Sequence, residues 1–133
     1  MRANAANGAI VLRFPAGGYE VIAERHPAVI HVSLSGFGND SPYREWPAYA
    51  SIVEAMSGIY AWAQRPGEPP RPNPVGALGD ISSALFAVIG ILAALRHRDR
   101  TGVGQYVDIA MLDAVVAMTD VVSNLYSLGQ RPD

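Results

Sequence analysis

Gly76-Ala77-Leu78-Gly79-Asp80 leads straight into Ile81–Leu95, the most apolar run of the chain. Within that run Ile81, Leu85, Val88, Leu92 and Leu95 recur at intervals of four, three, four and three, the spacing of one helix face. Ser83, Ala87, Gly90 and Ala94 recur in the same way on another face. The pattern predicts a helix with one broad apolar stripe and one row of small residues, along which a second backbone or a ligand can approach closely. Asp80 stands at its start, where the first backbone N–H groups lack intrahelical partners and the dipole is positive. Spacing alone leaves two compatible roles open to it. It is an N-cap, a position that favours Asp, or a carboxylate placed for chemistry. The run is shorter than the roughly 20 apolar residues that span a bilayer. It is flanked by Asp80 and by Arg96-His97-Arg98-Asp99-Arg100, so a buried helix is expected and no membrane partner.

Upstream, Arg65-Pro66-Gly67-Glu68-Pro69-Pro70-Arg71-Pro72-Asn73-Pro74 holds five prolines in ten residues and is an extended connector. A helix is expected before it, from about Ala48 to Met56, with Ser57-Gly58 closing it. Tyr49, Ile52, Val53 and Met56 share one face of that helix, and its acid Glu54 is expected in solvent. Ala28–Leu34 is β-branched and mostly apolar, the signature of a buried strand ended by Gly36 and Gly38. His31 within it reads as a packed core histidine, with no second ligand spaced to form a metal site. Tyr19–Arg25 suits a short helix stopped before Pro27, and Ala9–Leu12 a short strand ended by Pro15 and Gly17.

Downstream, the basic last turn of the central helix complements its dipole, and Thr101-Gly102-Val103-Gly104 makes a turn. That glycine pair follows a helix and lacks a third glycine, so it is no dinucleotide fingerprint. Gln105–Ala110 reads as a strand with Val107 and Ile109 on one side and Tyr106 and Asp108 on the other. A last helix from about Met111 to Leu128 is expected to bury Val115, Met118, Val122 and Leu125, with Asp113 in its first turn. The order strand, helix, helix, strand, helix indicates an α/β fold.

Composition narrows the function classes. The 133 residues amount to one domain, and 50% hydrophobic with 17% charged residues predicts a folded core. A net charge of −2 with no basic block gives no electrostatic case for nucleic acid. The absence of cysteine removes thiolate catalysis and cysteine-ligated zinc, and suits a reducing cytoplasm. The first eight residues lack the apolar core of a secretory signal. There is no nucleophile elbow, and no phosphate-cradling loop ending in Lys-Ser or Lys-Thr.

Several segments together resemble the family III CoA-transferases, the group of formyl-CoA transferase and carnitine CoA-transferase. They are Gly18-Tyr19-Glu20, His26–Ile30, Ser33–Gly38 and Pro47-Ala48-Tyr49. Then come Gly76–Asp80, Gly90–Leu95, Arg98, Thr101–Gln105 and Asp108–Asp113. The resemblance extends over residues 18–126 and implies that Asp80 is the catalytic nucleophile. Its carboxylate would attack an acyl-CoA thioester and pass through a mixed anhydride to an aspartyl-CoA thioester, from which a carboxylic acid acceptor takes the CoA. Covalent catalysis of this kind splits one difficult exchange into easier ones, and a carboxylate needs no general base to act. The resemblance also implies that Tyr49 lies near the thioester end of CoA and that Met111 lines the same pocket. No separate cofactor is implied, CoA being part of the substrate. The related α-methylacyl-CoA racemases carry a histidine at the place of Tyr49, where α-proton abstraction needs a second acid/base group. Tyrosine there favours transfer over racemisation. Ala50 stands where many relatives have an aspartate.

Full members of the family are much longer and form interlocked homodimers. The resemblance implies that the N-terminal nucleotide-fold region, which holds most of the CoA adenine and phosphate contacts, and a downstream glycine-rich loop over the intermediate are expected to fall outside these residues. Residues 1–17 follow the family poorly, leaving 18–133 as a partial domain with the catalytic aspartate. A truncated chain of this kind is expected to expose apolar surface, to aggregate or assemble with a complementary piece, and to be silent in isolation.

Overall fold

The computed structural model describes residues 10–13, 18–72 and 74–130, with backbone alone for 10–13 and for 121–122. Three strands form one parallel sheet in the order β1 (Ile10–Arg13), β2 (Ile30–Ser35), β3 (Tyr106–Ala110). Ile10 pairs with Ile30, and His31 with Tyr106, which puts Ser33 beside Asp108. Because β2 is central, Ile30, His31, Val32 and Ser33 are all buried, as an unbroken apolar run demands of a strand covered on both faces. The strand expected at 9–12 is therefore present, shifted by one residue. Residue 9, Pro15 and Gly17 lie outside the described residues.

Six helices accompany the sheet among the described residues: α1 (Tyr19–Arg25), α2 (Ala50–Met56), α3 (Ile59–Ala63), α4 (Leu78–Thr101), α5 (Met111–Met118) and α6 (Asp120–Ser127). The α/β expectation holds, and among the described residues the connector between α3 and α4 carries no regular element. His31 packs edge-on against Tyr19 and Tyr106, at ring distances of 6.0 and 5.4 Å. It is a core histidine, as read from the strand.

The central helix departs from expectation in three ways. First, it begins at Leu78, with Ala77 as N-cap and no side-chain cap, so Asp80 is its third residue and not its cap. The chain turns at Gly76, and the Ile81 N–H already reaches the Ala77 carbonyl at 3.0 Å, which starts the helix ahead of Asp80. Second, the small-residue face is the buried one: Ser83, Ala87 and Ala94 are enclosed, and Gly90 leaves room for Val107 of β3. Ile30, Val32, Ala87 and Ala94 form the core there, joined by Ile91, Leu95, Val107 and Ile109. Third, the large apolar residues Ile81, Leu85, Val88, Ile89 and Leu92 are exposed, Leu92 at 60%. A row of small side chains lets helix and sheet backbones approach, so the helix turns that row inward and the bulky stripe outward. At 24 residues and a mean hydropathy of 2.1 over its most apolar window, α4 is long and apolar enough to cross a membrane, contrary to the expected shortfall. Its small-residue face is packed against β2 and β3.

Two shorter helices stand where the sequence suggests one or none. Gly58, in the left-handed region at φ 85°, ends α2 and starts α3, which the pattern did not suggest. The expected helix 111–128 breaks at Thr119, whose hydroxyl donates to the Val116 carbonyl at 2.8 Å and competes with the helix ladder. Val115 is buried as expected, Met118 is exposed, and the Val122 side chain lies outside the described residues.

Candidate active site

The N-terminal ends of three helices meet at Gly79. A Cβ built on this residue would come within 2.8 Å of the Val53 Cγ2, 3.0 Å of the Ala50 Cα and 3.1 Å of the Met111 Sδ. Ala50 is the first residue of α2, Met111 the first of α5, and Gly79 the second of α4. Glycine permits the approach, and it brings three segments distant in sequence to one place. Asp80 follows Gly79, Tyr49 precedes Ala50, and Met111 touches the junction itself. The three residues singled out from the sequence therefore belong to one neighbourhood.

Their environments differ. Tyr49 is the N-cap of α2 with extended backbone, its carbonyl accepting from Ile52 and Val53 N–H at 2.9 and 3.3 Å. The residue is 71% exposed, so it is surface and not the core residue that helical spacing allowed. Met111 is buried with Phe37, Val53 and Val115. Asp80 is exposed on the first turn of α4, and among the described residues nothing donates a hydrogen bond to its carboxylate or pairs with it. An uncommitted carboxylate at the positive end of a 24-residue helix is suited to attack an electrophilic carbon. Ala50 is buried against Gly79, where a bulkier residue has little room toward α4.

Glu54 overturns an expectation. Placed in solvent by default, it is instead enclosed, with Oε1 accepting from the Gly79 N–H at 3.2 Å and Oε2 from the Tyr60 hydroxyl at 2.7 Å. Those two donors are what make its burial tolerable. A second polar group also went unread in the sequence. Beside β2 and β3, the Asn39 side-chain amide lies 2.7 Å from the Asp108 Oδ1, 2.6 Å from the Tyr106 hydroxyl and 3.2 Å from the Ser33 Oγ. Strand alternation had put Tyr106 and Asp108 on one side, but their partner sits in a loop 69 residues before Asp108. A hollow of about 230 Å³ beside this group is lined by Phe86, Asp108, Asp113 and Ala117 among others, and includes neither Asp80 nor Tyr49. Asp80 itself is exposed.

Comparison with known proteins gives the chain its relatives. The profile described as CoA-transferase family III matches residues 13–132. The chain is 38% identical over 110 residues to the succinyl-CoA–L-malate CoA-transferase alpha subunit of Chloroflexus aurantiacus, covering 83% of this chain and 26% of that one. It is 40% identical over 99 residues to the acetyl-CoA:oxalate CoA-transferase of Acetobacter aceti, covering 74% and 25%. Among solved structures, a CAIB/BAIF family protein from Brucella suis superposes with a TM-score of 0.77 at 33% identity, covering 87% of this chain and 31% of its own. The chain thus spans about a quarter of the length of the curated relatives it matches. By profile, sequence and fold alike, it belongs to CoA-transferase family III.

Proposed function

We propose that this chain carries the nucleophile of a CoA-transferase that moves CoA from an acyl-CoA donor to a carboxylic acid acceptor. The observation that carries the reading is the exposed, unpartnered Asp80 carboxylate at the junction where α2, α4 and α5 begin. One Asp80 oxygen attacks the thioester carbon, the C–S bond breaks, and CoA thiolate leaves a mixed anhydride. The thiolate then attacks the aspartyl carbonyl and expels the donor's carboxylate, leaving an aspartyl-CoA thioester. The acceptor carboxylate attacks that thioester in turn and expels CoA thiolate to give a second anhydride; the thiolate then attacks the acceptor's acyl carbon, yielding the new acyl-CoA and the free Asp80 carboxylate. Tyr49 stands at the thioester end and Met111 forms an apolar wall behind it. The relatives' names pair acyl-CoA donors with L-malate and oxalate, which supports a small dicarboxylate as acceptor.

Intact-mass measurement after incubation with succinyl-CoA tests the reading. The expected adduct has the mass of CoA less water, disappears with hydroxylamine, and is absent from Asp80→Asn. An adduct of equal yield in Asp80→Asn overturns the nucleophile assignment. A second reading has its own support: exposure of Ile81, Leu85, Val88 and Leu92 favours a chain that turns over only when a complementary polypeptide covers α4. Adduct formation by the chain alone decides against it.

A further inference from the structure

The proposed chemistry leaves Glu54 without a role, although it is 1% exposed and lies against the residue that precedes Asp80. The Gly79 N–H belongs to the first turn of α4, whose donors have no partner within the helix. Ala77, the N-cap, has no side-chain acceptor to offer. Glu54 supplies one from a different helix, 25 residues earlier in the chain. On its other side the Gly79 carbonyl accepts from the Ser82 and Ser83 hydroxyls at 3.2 and 2.5 Å, and both serines are buried. The N–H and C=O of residue 79 are thus both held by enclosed side chains. The residue that follows is left exposed and uncommitted. Tyr60 of α3 holds the second Glu54 oxygen at 2.7 Å, so the carboxylate ties α2, α3 and α4 together at one point.

We propose that Glu54 is a positioning residue for Asp80: its carboxylate fastens the first turn of α4 and so sets the direction in which the Asp80 carboxylate meets an acyl-CoA. The inference deepens the transferase reading and rests on it for its catalytic consequence. Its structural half stands on the Gly79 contact alone.

Two substitutions and two readouts on the 133-residue chain test it. Glu54→Leu keeps most of the volume and removes both acceptors. Glu54→Gln keeps an oxygen for the Gly79 N–H and turns its amide toward the Tyr60 hydroxyl oxygen. The first readout is hydrogen exchange at the Gly79 amide. It is protected in the wild-type chain and in Glu54→Gln, and exchanges about tenfold faster or more in Glu54→Leu, while amides near Ala87–Ala94 are unchanged. The second is adduct formation from succinyl-CoA. Glu54→Leu lowers the saturating rate about tenfold or more with the half-saturating concentration within about twofold, and Glu54→Gln restores it.

Unchanged Gly79 exchange in Glu54→Leu overturns the proposal. So does faster exchange with an unaltered adduct rate, which makes Glu54 an anchor and nothing more. Should Glu54→Leu fail to fold, Tyr60→Phe takes its place, with a smaller rise in Gly79 exchange and a slower adduct expected; no change in either overturns the proposal. Absence of an adduct in the wild-type chain favours the reading in which a complementary polypeptide must cover α4, and is separate from the Glu54 contact. The Gly79 exchange then still decides whether Glu54 holds that turn.

Discussion

A side chain at residue 79 has nowhere to go, because Ala50, Val53 and Met111 already occupy its space. Gly79→Ala is expected to destabilise the fold by about 1–3 kcal/mol, the usual cost of overpacking a closed contact, seen as a lowered thermal midpoint. The opposite holds at Tyr49, which is mostly in solvent. Tyr49→Phe should shift stability by less than about 0.5 kcal/mol. If the hydroxyl faces the thioester, the same change lowers the rate of adduct formation about tenfold, as loss of one hydrogen bond in the transition state does. An unchanged rate would remove Tyr49 from the site. Asp80, Tyr49 and Met111 were all legible as candidates, because each sits in a short segment that carries the family resemblance. Glu54 was not. Its burial depends on a backbone N–H 25 residues further on, and no local pattern encodes that meeting.

At the scale of elements, α4 shows how hydrophobic periodicity can be right and still be misread. The repeat over Ile81–Leu95 marks a helix correctly, but the face that this chain buries is the row of small residues. Apolar spacing says which face avoids water; it does not say which neighbour covers it. The stripe Ile81, Leu85, Val88, Leu92 has no cover among the described residues. Replacing Leu85 and Leu92 together with Glu should therefore leave the thermal midpoint within a few degrees, since few contacts are lost. The same pair should increase the soluble fraction by removing exposed apolar surface. A large fall in the midpoint would show the stripe to be packed in solution. The break at Thr119 was hidden for a different reason. A threonine hydroxyl bonding three residues back leaves the apolar spacing on either side intact.

For the whole molecule, the exposed stripe implies concentration-dependent association. Sedimentation velocity should show oligomers that grow with protein concentration and with added sulfate, which strengthens apolar contact, and that shrink in dilute urea. A strictly monomeric chain at all concentrations would contradict this. The curated relatives are about three times as long, and the matched segment makes up about a quarter of each.

The amino-acid sequence alone established the kinds of element and most of their places: β-branched Ala28–Leu34 as a buried strand, the proline run as a connector, Ile81–Leu95 as helix. It also determined the family, and through it the three candidate site residues. These are properties of short windows, where side-chain spacing and backbone restriction act over a few residues. Only the tertiary structure decided which face of α4 is inside, that Asp80 is the helix's third residue and not its cap, and that Gly79 joins three helix beginnings. It alone turned Glu54 from a solvent acid into the clasp beside Asp80. The physical reason is the same in each case. Close packing and hydrogen-bond pairing are settled between groups tens of residues apart, and those groups meet only when the chain is folded.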